Sequence, residues 1–423
     1  MGTEGGHDLS AGGDVLDRVT ECARMALRRY DCHPDTSVEL LNVSENATFL
    51  VSDPAAGPSV LRVHRLGYHT EQEIASELAW MDALRAEAGV RTPRVLPAAD
   101  GRRVVTVTEA ATARHCVRFE FLPGTEPGAE TGAQTGAETG AETGAQTGAE
   151  TGPGGGPAGE PGGQLTGSHF VELGEITARM HRHARSWARP AWFTRFHWDY
   201  AAAFGQQARW GRWQDGVGVG AAERRVLARL DEVLHARLSA FGQGPERYGL
   251  VHADTRLANL LVYEGSVSVI DFDDSGFSWY LYDLGTSVSF FEHSPEVPGL
   301  VDAWLTGYRR VSELSARDEA EIWTFIMFRR LLLLAWIGSH AGVDIAAELG
   351  AGYTQGSCDL AESYLSRRHF LWKSSPYAKI PRRSPAPIAR AGPTASTRES
   401  VLHNAQGKDP KACSHRSPAA PWW

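Results

Sequence analysis

The stretch 250–283 constrains the fold of this chain more than any other part of its sequence. Two apolar runs, Leu260–Val262 and Val267–Ile270, lie on either side of a Glu264–Gly265 pair. Short β-prone runs separated by turn residues that include glycine are typical of a tight β-hairpin. The sequence therefore predicts two antiparallel strands joined at residues 264–265, and that turn fixes which flanking residues face each other.

Polar side chains meet at the open end of this hairpin. Pairing outward from the turn sets Asn259 opposite Ile270, one residue before Asp271. Asp254 precedes Asn259 on a loop that His252 is expected to brace from within. An amide and a carboxylate brought together in this way suit Mg²⁺, a hard cation that takes one or two protein carboxylates plus substrate phosphates. The hairpin end is therefore a candidate metal site with Asn259 and Asp271 as ligands.

The spacing H-x-D-x4-N, followed by D-F-D at 271–273 and Y-D-L at 282–284, resembles the catalytic and metal loops of protein-kinase-like phosphotransferases. The surrounding sequence is similar to the bacterial aminoglycoside phosphotransferase and choline kinase superfamily, nearest the branch of the stress-response Ser/Thr kinase. The resemblance covers roughly residues 40–365, apart from one insertion. It implies an α+β, bilobal protein-kinase-like fold, with a small N-terminal antiparallel-sheet lobe carrying one helix and a larger, mostly helical C-terminal lobe.

The resemblance and the changes in composition divide the chain into six segments. We expect a disordered N-terminus (1–13), an N-lobe (14–118), a hinge (119–123), a disordered insertion (124–164), a C-lobe (165–372) and a disordered basic tail (373–423). The insertion carries six tandem copies of Gly-Ala-(Glu/Gln)-Thr over Gly128–Thr151. It has no aliphatic side chain larger than alanine and cannot bury a core, so we expect it to take no part in catalysis.

The resemblance assigns the nucleotide to the N-lobe and the hinge. It places a loop containing Ser44 and Asn46 over the phosphates, although this loop lacks the glycines of G-x-G-x-x-G and an ordinary surface turn is the alternative. It puts Arg62 where kinases carry the lysine that pairs the α- and β-phosphates. Guanidinium and ammonium differ in reach and geometry, and an exposed strand arginine is the other interpretation. At the hinge, backbone groups of Glu120 and Phe121 are implied to hold adenine.

A well-marked helix follows the strand that carries Arg62. The sequence Thr70-Glu71-Gln72-Glu73 predicts a capping box, which engages Glu73 with the helix N-terminus. Glu77 lies on the apolar face of the same helix. A carboxylate on a buried face needs a cationic partner. We therefore expect Glu77, rather than Glu73, to form the ion pair with Arg62 that positions the nucleotide.

The resemblance also implies the roles of the residues around the hairpin. Asp254 accepts or orients the proton of the attacking hydroxyl, while Asn259 and Asp271 hold the metal and the γ-phosphoryl is transferred in line. Arg256 matches the catalytic-loop lysine of Ser/Thr kinases and is a candidate for neutralising charge on the migrating phosphoryl. The alternatives are a capping or turn carboxylate for Asp254 and Asp271, and a plain surface role for Arg256. The residue before Asp254 is Ala253, where regulated protein kinases carry an arginine, so control by activation-loop phosphorylation is not expected.

Three further polar residues are predicted to be structural. Asp283 is expected to be a helix N-cap that also ties down the catalytic loop. The sequence Met180-His181-Arg182-His183 could suggest metal binding, but residues two apart point to different faces of a helix. A structural role is therefore favoured for both His181 and His183.

The composition restricts the partners of the chain. A net charge of −9, with about −16 on residues 1–372, argues against a nucleic-acid binder and tolerates a cationic substrate. The five cysteines are scattered, which favours reduced thiols over a disulfide framework. The first 13 residues have no apolar run, and 325–338 contains two arginines and is too short to span a bilayer, so we expect a cytoplasmic protein without a membrane partner.

Together these features predict an ATP- and Mg²⁺-dependent phosphotransferase. The acceptor is expected to be a hydroxyl of a small molecule that is aminoglycoside-, choline- or homoserine-like. A Ser/Thr protein kinase of the stress-response type and a non-catalytic nucleotide-binding module are the alternatives. Neither the identity of the acceptor nor the oligomeric state is indicated by the sequence.

Overall fold

The computed structural model describes residues 12–43, 46–109, 112–127, 166–340 and 344–366. The repeat Gly128–Thr151 and the basic tail lie outside the described residues, as does most of the predicted N-terminal segment. The first four residues of the predicted insertion, 124–127, are described, and Thr125 and Val262 exchange backbone hydrogen bonds at 3.1 and 2.9 Å. Helix α1 (Gly12–Leu27) begins two residues inside that segment, which was expected to be disordered to residue 13. Of the five cysteines, Cys22, Cys32, Cys116 and Cys358 are free thiols, as predicted, and Cys413 is not described.

The N-terminal lobe is built on one antiparallel sheet. The elements after α1 are β1 (Ser37–Val43), β2 (Ala47–Asp53), β3 (Gly57–Val63), α2 (Glu71–Ala83), β4 (Val95–Leu96), β5 (Val105–Glu109) and β6 (Thr112–Glu120). The strand order in the sheet is β1-β2-β3-β6-β4, and β5 also pairs with β6. The lobe carries two helices, α1 and α2, where one was expected.

Both faces of the central strands of this sheet are covered. Alternate residues Phe49 and Val51 of β2 pack with α1 in one core cluster. Val60 and Phe119 of β3 and β6 face α2 in the main core. The α2 helix begins with the predicted capping box, in which Thr70 and Glu73 bond reciprocally. A π-helical turn then extends it to Gly89, which ends it in the left-handed conformation (φ 62°).

The C-terminal lobe is mostly helical, as expected, and surrounds α9 (Ile322–Ser339), a helix that is buried on all sides. The helices are α3 (Gly167–Ser186), α4 (Tyr200–Phe204), α5 (Ala221–Phe241), α6 (Leu281–Ser287), α7 (Val297–Tyr308), α8 (Ala316–Glu319), α9 (Ile322–Ser339) and α10 (Asp344–Leu365).

The helical segment that contains α9 corrects one expectation. The 24 residues Ala316–Ser339 are long and apolar enough to cross a membrane by length and composition, so the prediction that this region is too short was wrong. However, 83% of its most apolar window is buried inside the protein. That burial is the pattern of a core helix, and α9 packs against α5, α6 and α10.

Two short antiparallel pairs in the C-terminal lobe hold the catalytic stretch. Strand β7 (Tyr248–Val251) pairs with β10 (Gly276–Trp279), and β8 (Leu260–Tyr263) pairs with β9 (Ser266–Val269). The β8–β9 turn is at Glu264 and Gly265, as predicted, and both have positive φ, 49° and 73°. Two consecutive residues with positive φ are typical of a type I′ hairpin turn, which matches the twist of the strands.

Candidate active site

The hairpin register places the proposed metal ligands where the sequence predicted. Leu260 pairs with Val269, and the ladder continues one step further because Ile270 N–H donates to the Asn259 carbonyl at 3.0 Å. Asn259 therefore lies opposite Ile270, next to Asp271. Asp271 has φ 60°, an uncommon value for a residue with a side chain, and such residues are frequent at functional sites.

Asp254 is held from three sides in the centre of the site. Asn259 donates its side-chain amide to Asp254 Oδ2 at 2.7 Å, and Arg256 Nε donates to the same oxygen at 3.2 Å. The other oxygen, Oδ1, accepts from Nη2 of Arg329, a buried residue of α9. Burial favours the neutral carboxyl, but Arg329 and Arg256 outweigh it, so the pKa of Asp254 lies below its usual value. Asp254 is thus ionised at neutral pH and can accept a hydrogen bond from an incoming hydroxyl.

Arg62 is buried, which excludes the interpretation of an exposed strand arginine. Its Nη1 donates to Glu77 Oε1 at 2.8 Å, and the Glu77 side chain has no exposed surface. Its Nη2 donates to Asp271 Oδ1 at 3.0 Å, and Asp273 lies 3.7 Å away. Burial opposes the charged form, yet these three carboxylates raise the pKa of Arg62 above its usual value. The predicted Arg62–Glu77 ion pair is confirmed, and it extends to the candidate metal ligand.

The oxygens of Asn259 and Asp271 suit a hard divalent cation. Asn259 uses its N–H groups on Asp254, which leaves its amide oxygen as the atom able to bind a cation. The Asp271 side chain is 41% exposed to the cleft and has one oxygen engaged by Arg62. Among the described residues, no group of three or more His, Cys, Asp or Glu is arranged to hold a metal by itself. Two protein oxygens therefore fit a cation that takes its other ligands from phosphates and water.

Asp283 fixes the catalytic loop, although not as a helix N-cap. It is the third residue of α6, and the cap position is Tyr280, so that prediction was wrong. Its carboxylate accepts from the backbone N–H of His252 at 3.2 Å and of Ala253 at 2.7 Å. His252 in turn bonds Ile270 O at 3.1 Å and so braces the loop from within, as predicted. The loop needs this support because Ala253 has φ 68°.

His181 and His183 of α3 have structural partners, as expected. His181 is fully buried between Asp283 Oδ2, at 2.9 Å, and the Tyr308 hydroxyl, at 3.1 Å. Burial lowers the pKa of His181 despite the nearby carboxylate, so this ring is neutral at pH 7. His183 pairs instead with Glu87, at 3.2 Å.

One cavity of about 300 Å³ brings the site together. Of the residues predicted from the sequence, it is lined by Asn46, Arg62, Glu120, Asp254, Arg256, Asn259 and Asp271. Glu77 is behind Arg62, and Phe121 packs against the main core. Ser44 lies outside the described residues. Most of the site residues predicted from the sequence therefore surround this one cavity.

Several lining residues were missed by the sequence reasoning. They are Asp273, Asp274, Trp210, Phe290, Arg329, Leu333 and Trp336. A signal existed for Arg329, because an arginine inside the apolar α9 segment has to be paired when the helix is buried. No local pattern links Asp254 to a residue 75 positions away. Asp273 contacts His64 and His69 at 3.3 and 3.5 Å. In the sequence it is only the last residue of the D-F-D motif, which does not indicate these contacts.

Comparison with known proteins decides the family. Residues 38–319 match the phosphotransferase enzyme family (APH). The chain belongs to this family. It is therefore an enzyme, a kinase that phosphorylates hydroxyl groups of small molecules, as the sequence predicted. The bilobal kinase-like fold expected from the resemblance is confirmed as well.

Three relatives illustrate the similarity of this kinase to known proteins. The structure of a microcompartment-associated aminopropanol kinase is 46% identical, covers 82% of this chain and 98% of its own, and superposes with a TM-score of 0.70. A structure of the amicoumacin kinase hAmiN in complex with AMP-PNP, Ca²⁺ and Ami is 19% identical, covers 84% and 96%, and has a TM-score of 0.62. The amicoumacin kinase of Bacillus subtilis is 27% identical over 175 residues, 39% of this chain and 49% of its own.

Proposed function

We propose that this protein transfers the γ-phosphoryl group of Mg-ATP to the hydroxyl of a small amino alcohol. The observation that carries the proposal is the ionised, triply held Asp254 in a cavity that also contains Arg62, Asn259 and Asp271. The acceptor class is supported by the 46% identity to an aminopropanol kinase over 98% of that chain. Amicoumacin kinase, a more distant relative, supports the fold rather than the acceptor.

In this proposal the metal and its ligands neutralise charge. Asp271 and the amide oxygen of Asn259 would hold Mg²⁺, which would neutralise negative charge on the phosphates during transfer. Arg62, oriented by Glu77, faces the α- and β-phosphates. Arg256 lies two residues after Asp254 with its guanidinium already at the carboxylate, where it can also reach the migrating phosphoryl.

The remaining nucleotide contacts follow the lobes. Asn46 belongs to the loop that covers the phosphates, and its neighbour Ser44 is assigned the same role. The backbone of Glu120 and Phe121 at the end of β6 holds adenine. The proposal keeps the segments predicted from the sequence, with the N-lobe beginning at Gly12 and the insertion after Pro127, together with a cytoplasmic location.

The charge of the cavity favours a cationic acceptor. Its lining contains five carboxylates, those of Glu120, Asp254, Asp271, Asp273 and Asp274, and three arginines. Mg-ATP adds two negative charges at neutral pH, so the occupied cavity has a surplus of negative charge. An ammonium group on the acceptor offsets part of that surplus, whereas a neutral alcohol does not.

An acceptor panel tests this function. Phosphoryl transfer from labelled ATP would be measured for 1-amino-2-propanol, ethanolamine, choline, 1,2-propanediol, an aminoglycoside and a protein substrate, with Asp254→Ala as the blank. We expect the highest kcat/KM for an amino alcohol. Transfer to the protein substrate alone, or ATP hydrolysis that no acceptor increases, would contradict the proposal.

A further inference from the structure

From the arrangement of the acceptor end of the cavity we infer that Asp274 binds the ammonium group of the acceptor while Asp254 binds its hydroxyl. This inference rests on the proposed amino alcohol kinase function and identifies the residue that binds the amine. Asp274 follows the D-F-D motif, and neither the motif nor the metal assignment gives it a role.

Asp274 and Asp254 line the same cavity, together with Trp210, Phe290 and Trp336 from the C-terminal lobe. Both carboxylates also act on the buried Arg329 guanidinium, whose pKa burial would lower but Tyr282, Asp254 and Asp274 raise. Asp254 is bonded to Arg329 directly and is assigned to the acceptor hydroxyl, so Asp274 is the carboxylate that remains for a second polar group of the same acceptor.

The Asp274 carboxylate has a fixed orientation. The Tyr68 hydroxyl donates to Asp274 Oδ1 at 2.6 Å, and Trp198 Nε1 donates to the Asp274 backbone carbonyl at 2.8 Å. The buried Arg195 donates to the backbone carbonyls of both neighbours, Asp273 and Ser275. A carboxylate can accept about four hydrogen bonds, so the bond from Tyr68 uses only part of that capacity. Such second contacts preorganise a binding group.

Aromatic side chains that line the same cavity suit a cation. The Phe290 and Trp336 rings are 6.2 Å apart at 60°. Phe290 has φ 75°, which is rare for a bulky residue and is found where the surrounding structure imposes it. The preceding residue is fixed by side-chain hydrogen bonds, since Ser289 Oγ accepts from Arg329 Nε at 3.1 Å and donates to Thr286 O at 2.7 Å. Aromatic rings attract ammonium groups through their π faces.

The test compares an amino alcohol with the diol that lacks its amine. Steady-state kinetics with 1-amino-2-propanol and with 1,2-propanediol would be measured for the wild type, Asp274→Asn and Tyr68→Phe. Asp359→Asn, on the exposed face of α10, is the matched control. Losing a hydrogen bond to a charged group lowers binding about 10- to 100-fold. We expect Asp274→Asn to raise KM for the amino alcohol by that factor, with little change in kcat or in KM for the diol.

Tyr68→Phe separates recognition from a merely structural contact. It removes the hydroxyl bond to Asp274 but leaves the carboxylate, so we expect it to change the preference for the amine by less than about threefold. Equal losses on amine and diol in Asp274→Asn, an unchanged preference, or the same effect in Tyr68→Phe would overturn the inference. If the wild-type enzyme phosphorylates no amino alcohol, the proposed function fails first, which is a distinct outcome.

Discussion

Replacing Arg62 by methionine tests whether the buried ion pair serves stability, nucleotide binding or both. Arg62 contacts Glu77 at 2.8 Å and Asp271 at 3.0 Å, and Asp273 is 3.7 Å away. Methionine fills a similar volume without charge. The substitution therefore leaves Glu77, which has no exposed side-chain surface, as a buried carboxylate without its cation.

The structure sets the size of the effect. At an effective dielectric constant of about 20, two charges 2.8 Å apart attract by about 6 kcal/mol before desolvation is subtracted. Removing one partner of a buried pair costs about 3–5 kcal/mol net. We expect Arg62→Met to lower the free energy of unfolding by that amount. Glu77→Met should cost less, because Arg62 then keeps Asp271 and Asp273.

The assay measures denaturant unfolding and nucleotide titration for the two single variants and for the double variant. Replacing a whole buried pair by apolar residues is often close to neutral. The double variant Arg62→Met with Glu77→Met should therefore have a free energy of unfolding at least about 2 kcal/mol higher than that of Arg62→Met alone. Its Mg-ATP affinity should stay as low as that of Arg62→Met. Arg229→Met, which breaks the exposed pair with Glu362 at 3.4 Å, is the control and should cost under about 1 kcal/mol. Additive losses in the double variant would refute this reasoning.

Two further perturbations address the metal site and the support of the catalytic loop. Asp271→Ala should abolish the part of the Mg-ATP thermal shift that depends on Mg²⁺, and an unchanged difference between Mg-ATP and ATP alone would contradict the metal assignment. His181 has a folded-state pKa below its unfolded value, so the unfolded state binds more protons below about pH 6.5 and stability falls with acidification. This group changes the free energy of unfolding by at most about 1.4 kcal/mol per pH unit. His181→Gln should therefore make the dependence of that free energy on pH shallower between pH 7 and pH 5. An identical dependence would argue against a neutral, buried His181.

The catalytic hairpin was predictable because its information is local. A Glu-Gly turn with positive φ at both residues fixes the register, and the register alone brings Asn259 beside Asp271. The Arg62–Glu77 pair could also be predicted, because a carboxylate on the apolar face of α2 needs a cation and the preceding strand supplies one.

Other parts of the site depend on distant contacts that no local pattern encodes. Arg329 reaches Asp254 across 75 positions because α9 runs through the centre of the C-terminal lobe. Asp283 was expected at a helix N-terminus, yet its role in holding His252 and Ala253 does not require a cap position. Such pairings follow from how helices pack, and a list of apolar positions does not determine that packing. The α9 segment shows the same limit, because composition cannot distinguish a core helix from one that crosses a membrane.

The central claim is that Asp254 orients the acceptor hydroxyl for phosphoryl transfer, and Asp254→Asn tests it most directly. The change is nearly isosteric and leaves Asn259 and Asp271 in place, so the fold and the Mg-ATP affinity should be retained. The free energy of unfolding should fall, because the buried Arg329 loses its carboxylate partner. Single-turnover transfer from labelled ATP to the best amino alcohol, at saturating nucleotide, should fall about 10²–10⁴-fold, the range for losing a positioned acid–base group. A loss of under about threefold with intact binding would show that Asp254 is only structural.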